Sequence, residues 1–293
     1  MSASISSLRG FAGRRPWVAT TVLLALPATW FVVFYLAALV SLFVSAFWQV
    51  DSLTGDIVHV WTLDNFRLLL SEPTYRHVAL RTVFLAASVT LTDAVLAWPF
   101  ALFMVRHAGT RTRTALMAAV TVPLWCSYLA RVYAWRLILS HDGALNWALH
   151  VLHLPDQKIA YTNWAIWLVF SYLWLPFMIL PVAAALERIS PTLLEASADL
   201  GASEFTTLRR VLLPLAVPGL VAGSIFTFSL TLGDFITPML VGGAGSDFIG
   251  NVVYASVGVA NNVPFAAAFA VLPLLVMAAY LLLARRLGAF EAL

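Results

Sequence analysis

Ionisable side chains are scarce in this chain: Asp, Glu, Lys and Arg make up 11% of its 293 residues. Four of them stand inside long apolar runs, namely Asp93, Arg131, Arg136 and Asp234. A carboxylate in apolar surroundings must be paired or must serve a cation. Trp98, Trp125, Tyr128 and Trp174 are spread among the same runs, and such rings could cage a cation. A second group is the stretch from Ser190 to Pro214, which is charged and amphipathic between two apolar segments. It suits docking better than a core. Chemistry of the bond-breaking kind has no constellation. The chain lacks a GxxxxGK[ST] phosphate loop, an HExxH pair and a serine nucleophile with its base. Cys126 is the single cysteine, so no disulfide framework or cysteine metal site can form. His150 and His153 sit three apart, with His141 nine residues earlier. A zinc site needs further ligands, so these read as loop residues and no metal is expected.

The elements that carry these residues follow from composition. The chain is 61% hydrophobic with a mean hydropathy of +0.89, against about 45–50% apolar in a soluble domain. It reads as an all-α membrane protein. A span needs about 20 apolar residues, and six segments qualify, at roughly 18–48, 82–105, 115–139, 163–186, 215–236 and 265–284. The first has no charge from Trp17 through Val50, so a tilted, uncleaved anchor with an interfacial extension is expected. The expected organisation is a tail at 1–17, a six-helix domain at 18–286 with a charged loop at 187–214, and a tail at 287–293. With six spans, Arg9, Arg14, Arg15, Arg106, Arg111, Arg113, Arg188, Arg209, Arg210, Arg285 and Arg286 share one side. That bias predicts both termini in the cytoplasm. Neither an internal repeat nor a pair of broken helices is evident in the sequence.

The charged loop has legible helix signals. Ser190 before Pro191 is a cap followed by a first-turn proline. A helix is expected over Thr192–Leu200, ended by Gly201 in a left-handed turn. Ser203 caps a second helix, Glu204 to about Leu213, and Pro214 and Pro218 mark re-entry into the membrane. Leu193, Leu194 and Leu200 are expected on one broad face, and Glu195 and Asp199 on another.

The order Glu195-Ala196-Ser197, three residues, Gly201, nine residues, Val211-Leu212-Leu213-Pro214 resembles the "EAA" loop of ABC importer permeases. The family pattern is Glu-Ala-Ala, three residues, Gly, nine residues, Ile-x-Leu-Pro. Every spacing matches, and Ser197 and Val211 are conservative departures. The resemblance implies a coupling helix that docks in a cleft of a cytoplasmic ATPase. Glu195 would face the ATPase, Ala196 would pack closely and Gly201 would make the turn, with Ser197, Asp199, Leu213 and Pro214 in the same device. The ATPase, with its ATP and magnesium, would be a separate chain, and this chain would bind no cofactor of its own.

Three further stretches narrow the resemblance. They are Thr62-Leu63-Asp64-Asn65-Phe66-Arg67 outside the first span, Val122-Pro123-Leu124-Trp125 with Leu129-Ala130-Arg131-Val132-Tyr133 in the third, and Leu232-Gly233-Asp234-Phe235-Ile236-Thr237-Pro238 followed by Ile249-Gly250-Asn251. Together they resemble the first permease subunit of spermidine/putrescine importers, within a group that also handles opines and phosphonates. The implied architecture is a type I ABC importer permease (MetI-like) in the bacterial inner membrane. Its implied partners are an ABC ATPase dimer, a homologous second permease, a periplasmic or lipid-anchored binding protein and membrane lipid, with no nucleic acid. The first span of such permeases often wraps the partner permease. Candidates for the substrate path are Asp234, Asp93, Trp125, Tyr128 and Arg131. Asp234 stands where Gly233 and Pro238 should loosen the helix, and a carboxylate there suits a cationic substrate; alternatively it is held by Arg131 or a neighbouring amide. Asp93 replaces a residue that is usually apolar in the family, and either lines the path or pairs with Ser, Thr or Arg across the permease interface. Arg131 and Arg136 would neutralise carboxylates or meet lipid headgroups. A stand-alone secondary transporter or a membrane enzyme would need repeats or a catalytic constellation that the sequence lacks.

Overall fold

The computed structural model describes residues 16–51 and 54–286; the terminal tails, with Arg9, Arg14 and Arg15, lie outside them. Helix α1 (Pro16–Trp30) runs through a π-turn (Phe31–Leu36) into α2 (Ala37–Ser45). A two-stranded antiparallel hairpin, β1 (Gln49–Val50) and β2 (Ile57–Val58), pairs Gln49 with Val58. Then come α3 (Asp64–Ser71), α4 (Pro73–Leu102) with a π-turn (Phe103–His107), and α5 (Thr110–Thr121). A 3-10 turn (Val122–Trp125) leads to α6 (Tyr128–Leu139) and α7 (Ala144–Val151). Next are α8 (Asn163–Glu187), α9 (Pro191–Asp199), α10 (Glu204–Thr207), a π-turn (Leu208–Leu212) and α11 (Leu213–Gly233). Helices α12 (Ile236–Val241), α13 (Ile249–Gly258) and α14 (Val263–Arg286) complete the order. Five helical stretches among the described residues are long and apolar enough to cross a membrane, and a bent pair makes a sixth.

That bent pair departs from expectation. The third span was expected as one helix over 115–139. The chain instead turns by 100° between Thr110–Trp125 and Tyr128–Val151. Pro123 cannot donate to a carbonyl four residues back and its ring crowds that carbonyl, so α5 ends at Thr121 and Cys126 and Ser127 are extended. The fifth span is broken too: α11 stops at Gly233, Asp234 is extended, and α12 restarts at Ile236. The bend in the third span, which the sequence did not announce, therefore meets an interruption after the fifth that Gly233 and Pro238 led one to expect. Hydropathy cannot register either break, because the residues on both sides are apolar.

A second departure concerns the charged loop. Its second helix is not separate from the membrane span. Residues Glu204–Gly233 form one continuous 30-residue helix, and Pro214 is accommodated because the π-turn just before it shifts the hydrogen-bond register. Helix two also starts earlier than expected, at Pro73, a first-turn proline.

The core is a triangle of α4, α8 and α11. Toward the Trp174 end Val89, Val132, Phe170, Leu173, Val241 and Phe248 interlock; toward the other end Ala101, Met104, Met178, Val182, Leu186 and Ala216 do so. Gly219 and Gly223, spaced four apart on α11, let it lie directly on α8. A Cβ at Gly219 would stand 2.5 Å from the Ala185 Cβ and 2.7 Å from the Pro181 carbonyl oxygen. Small residues at such a seam let helix backbones approach where lipid supplies no hydrophobic drive. Gly219→Ala should therefore force the helices apart at a cost of about 1–3 kcal/mol. Thermal unfolding of the purified protein in detergent reads this, and an unchanged midpoint would refute so close a contact.

The first span stands apart. Leu23, Leu24, Val40 and the whole run Trp30–Leu36 are exposed, with Trp30 on Phe34 at 4.2 Å and Phe31 on Tyr35 at 5.0 Å. It is anchored at its end, where Ala46 packs on Ala267 and Ala268. There the Asn65 amide donates to the Ala46 and Trp48 carbonyls at 2.9 and 2.8 Å.

Candidate functional site

Two places on the molecule gather the residues singled out by the sequence. One is the charged elbow between α8 and α11. Ser190 Oγ accepts from the Thr192 N–H at 3.3 Å and opens α9. Gly201 closes it with φ +77°. The Gly201 N–H donates to Ala198 O at 2.8 Å and the Ala202 N–H to Ser197 O at 3.1 Å, the paired bonds of a Schellman turn. Ser203 Oγ then caps α10 by accepting from the Thr206 N–H at 3.3 Å. Glu204 lies in the first turn, where the helix dipole favours an anion.

Glu195, Ala196 and Asp199 are exposed, as are Leu213 and Pro214, whereas Ser197 is buried. The apolar face differs from expectation. Leu194 alone packs inward, while Leu193 is 47% and Leu200 88% exposed. Seven residues make nearly two full turns, so Leu193 and Leu200 do share a face, but Leu194 is rotated about 100° from it. Phe205, at 69% exposure, adjoins this outward apolar pair in sequence across the turn. Sequence reasoning passed over Phe205, and also over the support beneath the elbow. Arg106 donates to the Leu186 and Ile189 carbonyls at 2.7 and 2.9 Å, and Arg113 pairs with Glu187. Both arginines cap or brace the end of α8, which fixes the direction in which α9 leaves.

The other place is the meeting of the two broken spans. Asp234 Oδ1 accepts from the Ile236 N–H at 2.7 Å and the Thr237 N–H at 3.2 Å. Its Oδ2 accepts from Thr237 Oγ1 at 3.0 Å and from the Tyr128 hydroxyl, which also lies 2.7 Å from Thr237 Oγ1. Four donors thus fill the carboxylate's roughly four lone-pair positions. Tyr128 is the first residue of α6, so this cluster joins the break in the third span to the break in the fifth. Arg131 forms no ion pair or hydrogen bond with Asp234 among the described residues; tyrosine, threonine and two amides hold it instead. The nearby Ile249-Gly250-Asn251 motif gains a physical reason. Asn251 donates to the Phe235 carbonyl at 2.7 Å and accepts from the Phe248 N–H at 3.0 Å. Gly250 is close enough that a Cβ would stand 2.9 Å from the Phe235 Cβ.

The remaining candidates separate. Trp125 is 91% exposed and Trp174 8%, while Trp98 packs among residues of the inner core. Of the four aromatic candidates, Tyr128 and Trp174 stack, at 6.0 Å between ring centres. Asp93 is fully buried, and neither of its carboxylate oxygens has a hydrogen-bond partner. It faces into the bundle toward Ser171 of α8, not toward an open surface. Gly233 has open space where a Cβ would be, so the end of α11 beside Asp234 is accessible.

The comparisons with known proteins agree on the kind of molecule this is. Residues 97–289 match the family described as "Binding-protein-dependent transport system inner membrane component". The chain is 44% identical, over 99% of its length and 96% of the other, to the inner membrane ABC transporter permease protein YdcU of Escherichia coli (strain K12). It is 36% identical to the spermidine/putrescine transport system permease protein PotB of Escherichia coli (strain K12), over 76% of this chain and 81% of that one. Among solved structures it resembles a bacterial alginate ABC transporter in complex with alginate pentasaccharide-bound periplasmic protein, with a TM-score of 0.78 over 94% of this chain and 95% of that one. At 19% identity that likeness concerns the fold.

Proposed function

The chain belongs to the family of binding-protein-dependent transport system inner membrane components, and from that premise we propose that it carries a polyamine such as spermidine or putrescine. As a permease subunit of an ABC importer it is a multi-pass protein of the bacterial inner membrane and a transport component, not an enzyme.

The observation that carries the substrate reading is the charge at the break of the fifth span. The last carbonyls of α11 lack partners in their own helix and bring the negative end of its dipole to Gly233. Asp234 adds a full negative charge at the same point. The short α12 offsets only part of it. Discontinuous helices in transporters present such ends to ions and charged substrates. An ammonium group is attracted there, whereas an anionic phosphonate is repelled. The relation to a spermidine/putrescine permease supports the same choice. The substrate path then includes Asp234 and Tyr128, with Trp125 exposed beside the break in the third span and Arg131 one turn along α6 from Tyr128. Asp93, sealed in the core, would serve the path only after the bundle opens.

Energy enters at the elbow. In this reading the ABC ATPase dimer grips α9 through Glu195 and the exposed pair Leu193 and Leu200, with ATP and magnesium held on the ATPase. A homologous second permease covers the exposed first span, and a binding protein delivers substrate to the opposite face. Both termini lie on the ATPase side. Exchanging Glu195 for Arg reverses the charge of the docking face, so the ATPase that co-purifies with the tagged chain should fall about tenfold or more. Unchanged recovery of the ATPase would end the docking assignment. The substrate itself is tested by uptake of labelled putrescine and spermidine into liposomes containing the whole complex. Competition by opine and phosphonate, with none by polyamine, would overturn the polyamine reading.

A further inference from the structure

Helix α9 is only nine residues long, too short to hold a direction by itself. It joins the next helix through Gly201, a turn whose glycine has open space around it. Left to that turn alone, α9 would swing on a flexible elbow. Besides the apolar packing of Leu194 into the cluster that holds Leu212, one polar contact bridges the elbow. Ser197 Oγ lies 2.8 Å from Thr207 Oγ1, and it is the one hydrogen bond between side chains that links α9 to the helix beginning at Glu204 among the described residues. Ser197 is the buried residue of α9, and its own carbonyl accepts the Ala202 N–H that closes the turn. Thr207 lies in the continuous helix Glu204–Gly233, about 45 Å of rod at 1.5 Å per residue. The far end of that rod is Gly233, next to the Asp234 cluster.

We infer that the Ser197–Thr207 hydrogen bond is a strut that makes α9 and the fifth span move as one body. Ser197 and Thr207 are positioning residues: they touch no substrate, but they deliver a displacement of α9 to the rod. Without them part of the displacement is spent in bending at Gly201, and ATP is hydrolysed with less substrate moved. This inference rests on the reading that the ATPase docks on α9.

The test uses the complete complex in liposomes with its binding protein, and reads ATP hydrolysed per substrate imported. Ser197→Ala and Thr207→Val each remove one hydroxyl at nearly constant volume. Each should raise the ratio by about threefold, the order expected when one modest hydrogen bond is lost. The double variant should be no worse than either single one, because the two share one interaction. Thr207→Ser, which keeps the hydroxyl, should retain the wild-type ratio. A merely structural role would lower assembly or stability and leave this ratio alone. Unchanged ratios in both single variants, or a double effect equal to the product of the two, would overturn the strut. If Glu195→Arg still retains the ATPase, the docking reading fails; if it releases the ATPase while the ratios stay flat, the strut alone fails. A second measurement needs no ATPase. Spin labels at Asp199 and Arg210, both exposed, in a Cys126→Ser background should show a broader distance distribution in Ser197→Ala than in the parent. An identical width would overturn the strut as well.

Discussion

Replacing Gly201 by valine is expected to reduce import about 5- to 30-fold while the chain still inserts and folds. Gly201 has φ +77°, a region that costs an L-residue about 1–2 kcal/mol, which corresponds to that range in population. Crowding is not the cause, because nothing lies within 4 Å of the position a Cβ would take. The strain is in the backbone, and a β-branched residue tolerates it least. The turn would relax by giving up the Gly201–Ala198 and Ala202–Ser197 hydrogen bonds, and α9 would change direction. Asparagine enters the left-handed region more readily than other side chains, so Gly201→Asn should stay close to wild type. The two side chains are of comparable size but differ strongly in backbone preference. Import by Gly201→Val at the wild-type rate would mean that the direction of α9 does not matter to transport.

The second large effect concerns Asp234, and two substitutions divide its roles. Asp234→Asn keeps an oxygen for the Ile236 and Thr237 amides, and the Tyr128 and Thr237 hydroxyls can turn to accept from the new amide. The cluster survives and the charge is gone. Uptake of a cationic substrate should then fall about tenfold or more, with the complex intact. Asp234→Ala removes the charge and strands two backbone N–H groups, leaving the Tyr128 and Thr237 hydroxyls only each other, at a cost on the order of 2–4 kcal/mol. That variant should lose thermal stability as well as uptake. Full uptake by Asp234→Asn combined with a lowered melting point in Asp234→Ala would make Asp234 a staple between broken spans and remove it from the cation path. The experiment matters because the carboxylate's four hydrogen bonds serve either purpose.

The elbow was largely readable before any coordinates. Ser190, Pro191, Gly201, Ser203 and Glu204 each act on their nearest neighbours in the chain, through caps, a first-turn proline and a left-handed turn. Local rules of this kind act over four or five residues, and the structure places every one of them as the residue types require. The same holds for the apolar spans, whose existence depends only on a sum of transfer energies along one helix. The resemblance in the loop was legible for the same reason, since its pattern of spacings lies within one short stretch.

What the sequence did not disclose depends on partners far along the chain. Ser197 and Thr207 are ten residues apart and Tyr128 and Asp234 are 106 apart, and nothing in either local stretch names its partner. The break at Cys126–Ser127 escaped because hydropathy sums alike over straight and bent helices, whereas the interruption at Asp234 was announced by Gly233 and Pro238. Helical spacing already puts Leu194 about 100° from Leu193 and Leu200; that Leu194 is the one facing inward was decided by the packing of α9 against Leu186 and its neighbours. Asp93 shows the point most sharply. Its sequence context reads as a charge at the middle of a span, open to a path or to a partner permease. Whether it faces the path, the lipid or the core is a matter of how the second span is rotated against α8 and α11. That rotation is set by contacts of the second span itself, such as Trp167 Nε1 donating to Thr92 Oγ1 at 3.1 Å and Thr227 Oγ1 to Thr90 Oγ1 at 3.5 Å. The sequence by itself determined the spans and the turn chemistry, because those energies are local. Tertiary structure alone decided which polar groups meet, because that energy exists only between elements already packed together.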